Sequence, residues 1–117
     1  MNQHELGIFG EQLAKKSLQE NGYEIVYSNY RFRHVELDLV CKKDSKLIVV
    51  EVKTRFSNAI GEPWQAVTKS KQRQLIRAAN FYIEQFDIDL DTRFDVVSII
   101  HNDKETKIEH IIDAFTP

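Results

Sequence analysis

Two short segments joined by a polar turn constrain this chain more than any other feature. Residues 35–41 (VELDLVC) and 47–54 (LIVVEVKT) are each rich in β-branched and apolar residues, and the first alternates with charge. Between them lies Lys42-Lys43-Asp44-Ser45-Lys46, all polar. This is the signature of a β-hairpin. A two-residue turn at Asp44-Ser45 sets Lys43 opposite Lys46, which carries Leu39 to Val50 and Leu37 to Val52. Matching the apolar positions is what normally selects a register. Side chains alternate between faces along a strand, so Leu37 and Leu39 are expected on one face and Glu36 and Asp38 on the other. Asp38 then stands directly opposite Glu51, and Glu36 opposite Lys53.

Opposed residues have Cβ atoms about 5 Å apart. Two carboxylates at that spacing repel, and both are flanked by apolar residues in a strand that helices should cover. Such a pair needs a partner to be kept. A divalent cation would serve, because Mg²⁺ and Mn²⁺ take one or two carboxylates and fill the remaining positions with water and substrate phosphate. The Val52 backbone carbonyl could add an oxygen. Lys53, two residues beyond Glu51 on the same face, is suited to orienting or deprotonating water or to neutralising charge on a phosphoryl group. A plain solvated strand face with a Glu36–Lys53 ion pair is the competing reading of the same spacing. Together the residues point to phosphodiester hydrolysis with Mg or Mn as cofactor.

The remaining chain supplies helices for that sheet. Leu6, Phe9, Leu13, Ala14 and Leu18 recur at helical spacing over residues 4–20, and Asn21-Gly22 is a stop signal. Gly7 and Gly10 weaken this helix unless another backbone passes close by; a frayed first turn would explain them as well. Residues 23–31 read as a strand and 56–63 as a loop. A long helix is expected from Trp64 or Ala66 to Phe86, burying Val67, Leu75, Ala78, Ala79, Tyr82, Ile83 and Phe86. Strands at 93–100 and 106–112 complete an αβββαββ order. The fold class expected is α/β, a central mixed sheet flanked by helices, in a single domain spanning residues 1–117.

Two helical residues join the cluster. Glu11 lies at the margin of the first helix's apolar arc, where it could lean toward the sheet. Lys71 interrupts the apolar face of the second helix; a lysine snorkelling from the helix end is the alternative. Basic residues stand near the hairpin's far end: Arg31 and Arg33 after the first strand, Arg55 after the third, and Lys69, Arg73 and Arg77 along the second helix. Phosphate contacts from such residues give affinity without sequence readout, although Arg77 reads equally as solubilising charge. His34 and Trp64 suit either base stacking or packing.

Formal net charge is −2, which does not advertise a nucleic-acid binder, but acidic ligands lower net charge and a local basic patch still binds phosphate. The lone cysteine, Cys41, excludes an internal disulfide and reads as a buried thiol. With no signal-like segment and no apolar run approaching the ~20 residues of a membrane span, a cytoplasmic location and no membrane partner are expected.

The spacing from Asp38 to Glu51-Val52-Lys53 resembles the PD-(D/E)xK signature of restriction-endonuclease-like proteins. A wider set is similar to the YraN-like family of bacterial proteins: Gly7-x-x-Gly10-Glu11-x-x-Ala14, Leu18, Gly22-Tyr23, Asn29-Tyr30-Arg31, Glu36-Leu37-Asp38-Leu39, Val49-Val50-Glu51-Val52-Lys53-Thr54-Arg55, and Lys71 with Ala78. The resemblance implies a restriction-endonuclease-like fold, similar to archaeal Holliday-junction resolvases. It also implies a metal site formed by Glu11, Asp38, Glu51 and Lys53, to which the residues themselves add the Val52 carbonyl as a further ligand and Glu36 and Lys71 as supporting groups. It implies a DNA endonuclease, or a nucleic-acid-binding module without turnover, and a homodimer would suit a two-fold substrate. Val35 stands where the family tends to have glycine, which removes none of these ligands.

Overall fold

The computed structural model describes residues 1–117. Helix α1 (Gln3–Glu20) leads into β1 (Glu24–Phe32), β2 (Val35–Lys43) and β3 (Lys46–Arg55). A short 3-10 turn (Pro63–Ala66) precedes α2 (Lys69–Gln85), and β4 (Asp91–His101) and β5 (Thr106–Phe115) follow. The five strands form one sheet in the order β1-β2-β3-β4-β5. Only β3 and β4 are parallel, and α2 is their crossover. This is the mixed α/β order that the hydrophobic patterns predict.

Local chemistry explains the element ends. Asn2 caps α1 by accepting from the Glu5 N–H at 2.8 Å, and the Glu5 carboxylate accepts the Asn2 N–H in return. Gly22, at φ +85, turns the chain away after α1. Asp44 and Ser45 both have positive φ, as a two-residue hairpin turn requires. The second helix starts later than expected. Pro63–Ala66 is a separate 3-10 turn, and the hydroxyl of Thr68 caps α2 by accepting the Lys71 N–H. Lys71 is therefore held in the first turn of α2, not within a longer helix.

Helices cover the sheet on both faces. Against α1 lie Leu39, Cys41, Ile48, Val50, Val97 and Ile99, packed with Ala14, Leu18 and Tyr23. Against α2 lie Leu37, Val40, Leu47, Val49, Phe94 and Val96, packed with Leu75, Ala78, Ala79 and Tyr82. Cys41 is buried, as expected. Gly10 is required by a close approach: a Cβ there would fall 1.8 Å from Thr54 Oγ1 on β3. The neighbour is a side chain rather than a backbone. Gly7 meets nothing within 4 Å, and it borders a cleft instead.

One face assignment is overturned. Leu37 and Leu39 do not share a face: Leu37 belongs to the α2-side core and Leu39 to the α1-side core. The hairpin register is as expected from Lys43↔Lys46 to Leu39↔Val50, and the ladder stops there. Beyond that point β2 follows β1, pairing Leu37 with Tyr30 and Glu36 with Arg31. Leu37 thus does not oppose Val52, Glu36 does not oppose Lys53, and Asp38 does not stand opposite Glu51 on one face of the ladder as expected. Asn29, opposite the break, has φ +56, a conformation that asparagine tolerates better than most residues.

Candidate functional site

Where β2 leaves β3, the Asp38 side chain takes the place of the missing ladder: its Oδ2 accepts the Val52 N–H at 2.8 Å. Strict alternation along β3 sends Val50, Val52 and Thr54 toward α1 and Glu51 and Lys53 toward α2. Asp38 is reached from the α1 side, through a cleft of about 590 Å³ bordered by Gly7, Glu11, Asn29, Glu36 and Thr54. Glu51 is reached from the α2 side and is only 4% exposed. The two carboxyls meet in the splay between the strands, close enough to hydrogen-bond when one is protonated.

Glu51 has its two oxygens in different surroundings. Oε2 faces the Lys71 ammonium at 3.8 Å and the Lys53 ammonium at 4.0 Å. Oε1 is buried without a hydrogen-bond partner. Burial is the main reason the Glu51 carboxyl is pushed well above the usual carboxylate range; the Asp38 charge adds to the shift, and the two lysines oppose it. Asp38 is raised too, again chiefly by burial, against the stabilising hydrogen bonds from Glu51 and the Val52 N–H. Like carboxyls in a shielded site hold a proton between them in this way.

Glu11 lies across the cleft, half-buried on α1. Burial raises its carboxyl, and the charges of Asp38 and Glu36 add to the effect, while the nearby Asn29 amide and the Lys15 charge oppose the rise. Glu36 is engaged by Arg31 at 3.2 Å and by Asn29 at 3.1 Å. Its ion pair therefore crosses from β2 to β1 and leaves Lys53 to Glu51. No three acidic, histidine or cysteine side chains converge tightly enough to enclose an ion by themselves. The residues nonetheless suit a divalent cation: Glu51 Oε1 is an orphaned acceptor beside a second carboxyl, in a set of oxygen donors that hard cations prefer.

Of the basic residues, Arg31 is committed to Glu36. Arg33, Arg55, Lys69, Arg73 and Arg77 are exposed and enter no ion pair. His34 is exposed in the β1–β2 turn. Trp64 is away from the carboxyls, bordering an apolar groove with Val96, Ile111 and Phe115.

These residues fall within a recognised family. The model of the uncharacterised protein family UPF0102 matches residues 10–99. The chain belongs to UPF0102. It is 49% identical to a UPF0102 protein of Chlorobium chlorochromatii over 117 residues, covering 95% of this chain and 91% of that protein. A UPF0102 protein of Syntrophomonas wolfei is 46% identical over 112 residues, covering 95% and 97% respectively. One from Christiangramia forsetii is 44% identical over 112 residues, covering 96% and 94%. The UPF0102 match spans Glu11, Asp38, Glu51, Lys53 and Lys71 together.

Two contributors were not expected from this member's sequence. Asn29 donates to Glu36 and borders the cleft with Glu11, and nothing in its local pattern signals this. Asp95 is fully buried on β4, where Arg93 grips it through two bonds of 2.9 and 2.8 Å and His110 meets it at 2.8 Å. The charge within the apolar run RFDVVSII was the available signal. Asp95 organises β4 and β5 rather than the cleft. No helix is long and apolar enough to cross a membrane.

Proposed function

We propose that this UPF0102 chain is a metal-dependent endonuclease acting on DNA, with a restriction-endonuclease-like arrangement of its sheet. The observation that carries the reading is the buried, unpartnered Oε1 of Glu51 beside the Asp38 carboxyl, with two ammonium groups on the other Glu51 oxygen. Two carboxyls crowded out of water, with one oxygen left unpaired, cost stability that a bound cation would offset.

Asp38, Glu51 and the Val52 carbonyl would hold Mg²⁺ or Mn²⁺, with Glu11 reaching it across the cleft. When bound, the cation would polarise a phosphoryl oxygen and acidify a water. The protein's own parts do the rest. Val52 fixes the Asp38 carboxylate through its N–H. Lys53 and Lys71, each 32% exposed, approach Glu51 from the α2 side of the sheet, where they can meet an incoming phosphate or position a water. Arg33, Arg55, Lys69 and Arg73 add non-specific phosphate contacts. Branched DNA is the substrate that likeness to Holliday-junction resolvases suggests, a two-fold substrate favours a homodimer, and a cytoplasmic location suits a DNA substrate.

A binding module without turnover is the second reading. It is favoured by the carboxylates' failure to converge as a threesome. Calorimetry with Mn²⁺ and Mg²⁺ on the native chain, Asp38→Ala and Glu51→Ala separates the two, followed by a cleavage screen on branched, flapped and single-stranded DNA. Binding by the native chain that both variants lose, together with cleavage, supports the nuclease. No metal binding, with or without DNA, leaves the binding module.

A further inference from the structure

The β1–β2 turn and α2 bring two aromatic rings and several free cations to one surface. Phe32 ends β1 and its ring lies 4.4 Å from that of Phe81 on α2, at an interplanar angle of 35°. Phe81 is 46% exposed. The Arg33 guanidinium sits 5.2 Å from the centre of the Phe32 ring. Arg33 itself has φ +58, a strained conformation for a long side chain.

Along α2, Arg73, Arg77 and Phe81 follow one another at intervals of four, so they form one stripe. All three are exposed, and neither arginine has an acidic partner. The stripe begins in the turn after Lys71, which faces Glu51. Ten residues of helix separate Lys71 from Phe81, about 15 Å. The second aromatic group nearby, Tyr27, Tyr30, Tyr82 and Phe86, differs in kind. Its rings interlock edge to face, Tyr30 and Tyr82 are buried, and its polar neighbour is Gln85 rather than a cation.

We propose that Phe81 and Phe32, with Arg33, Arg73 and Arg77, form a second binding site that takes an unpaired nucleobase of the DNA strand leading away from the cleft. This rests on the DNA reading above and narrows it to a substrate with a single-stranded part. A ring with an open face beside guanidinium groups matches a base and its phosphates at once. A closed duplex offers the phosphates but keeps its base faces stacked. An apolar protein partner would fit the rings but would have to bury unpaired guanidinium groups.

The test is equilibrium binding by fluorescence anisotropy, with a blunt duplex and the same duplex carrying a single-stranded extension. It is run in EDTA, and again with Mg²⁺ on an Asp38→Asn background so that substrate persists. The native surface should prefer the extended DNA. Phe81→Ala should weaken extended-DNA binding about tenfold and leave blunt-duplex binding unchanged. Phe81→Leu retains apolar area without an aromatic face and should behave like Phe81→Ala. Thermal melting checks that both variants are folded, which the exposure of Phe81 favours. Equal binding of the two DNAs, or full retention by Phe81→Leu, overturns the stacking site while leaving the DNA reading intact. No binding of either DNA overturns both.

Discussion

The Asp38 carboxylate and the Val52 N–H, fourteen residues apart in the chain, close at 2.8 Å the gap that opens when β2 leaves β3. That bond does two things. It satisfies a strand N–H that has lost its ladder partner, and it fixes one Asp38 oxygen so that the other can turn toward Glu51. The site is thus built into a defect of the sheet, and its stability should respond accordingly.

Glu51→Gln should stabilise the metal-free protein. The Glu51 carboxyl is raised in the fold, chiefly by burial. A carboxyl with a raised folded pKa leaves stability intact below its unfolded pKa and lowers it as pH climbs from there toward the folded value. The wild type should therefore lose stability as pH rises above the ordinary glutamate value of 4.5, and the variant should lose less. The gain at neutral pH is on the order of 1–3 kcal/mol, or several degrees in Tm. Thermal melts between pH 4 and 8 read it, and equal slopes for the two proteins would refute it.

Divalent metal should reverse the same penalty. Mn²⁺ at a hundredfold excess over its Kd stabilises by about 2.7 kcal/mol, so Tm should climb at pH 7–8 in the wild type. Neither Glu51→Gln nor Asp38→Asn should show the full rise. A rise of the same size in both would mean that the cation binds elsewhere.

Lys71→Met removes a cation 3.8 Å from Glu51 Oε2. Lys71 opposes the upward shift of Glu51, so without it the carboxylate forms only at higher pH. The onset of Mn²⁺ binding should move up in pH, while affinity above that onset stays equal or improves, since one repulsive charge is gone. Calorimetric titrations at a series of pH values would show the shift; an unmoved onset argues that Lys71 is only a surface charge.

Gly10→Ala should push α1 off the sheet. Its Cβ would lie 1.8 Å from Thr54 Oγ1 and 2.8 Å from Thr54 Cβ. Overpacking of this kind costs roughly 1–3 kcal/mol. Adding Thr54→Ala removes the nearer clash but not the Cβ contact, so rescue should be partial; denaturant melts of the single and double variants measure it. Full stability in Gly10→Ala alone would show that α1 can shift freely.

Asp95→Asn should be more damaging than its distance from the cleft suggests. Burial by itself would raise this carboxyl, but bonds from His110, Arg93 and the Asp113 N–H outweigh it and hold it low. A lowered carboxylate contributes stability above its unfolded pKa, here near 3.8, and that contribution fades as pH falls through the folded value. Removing the charge from a buried pair costs about 3–5 kcal/mol. Urea unfolding at pH 7 and pH 3 should show a large difference between wild type and variant that narrows in acid.

The sequence alone determined the element order, the hairpin with its Asp44-Ser45 turn, and the pairing of Leu39 with Val50, because those follow from alternation, turn chemistry and apolar matching within a few residues. It also singled out Asp38, Glu51, Lys53 and Lys71, because a charge in an apolar pattern is visible locally. Only the tertiary structure decided how they meet. The register rule assumes an unbroken ladder, and β2 instead pairs only with β1 on the N-terminal side of Leu39, which moves Leu37 to the other core and gives Glu36 to Arg31. Pro63 and Thr68 set the start of α2 and hence the reach of Lys71, and Asn29, though part of the family pattern, showed no role in the sequence because its partner Glu36 lies on another strand. Each of these depends on competition between two neighbouring strands or a helix and a sheet for the same groups, a choice that no single segment contains.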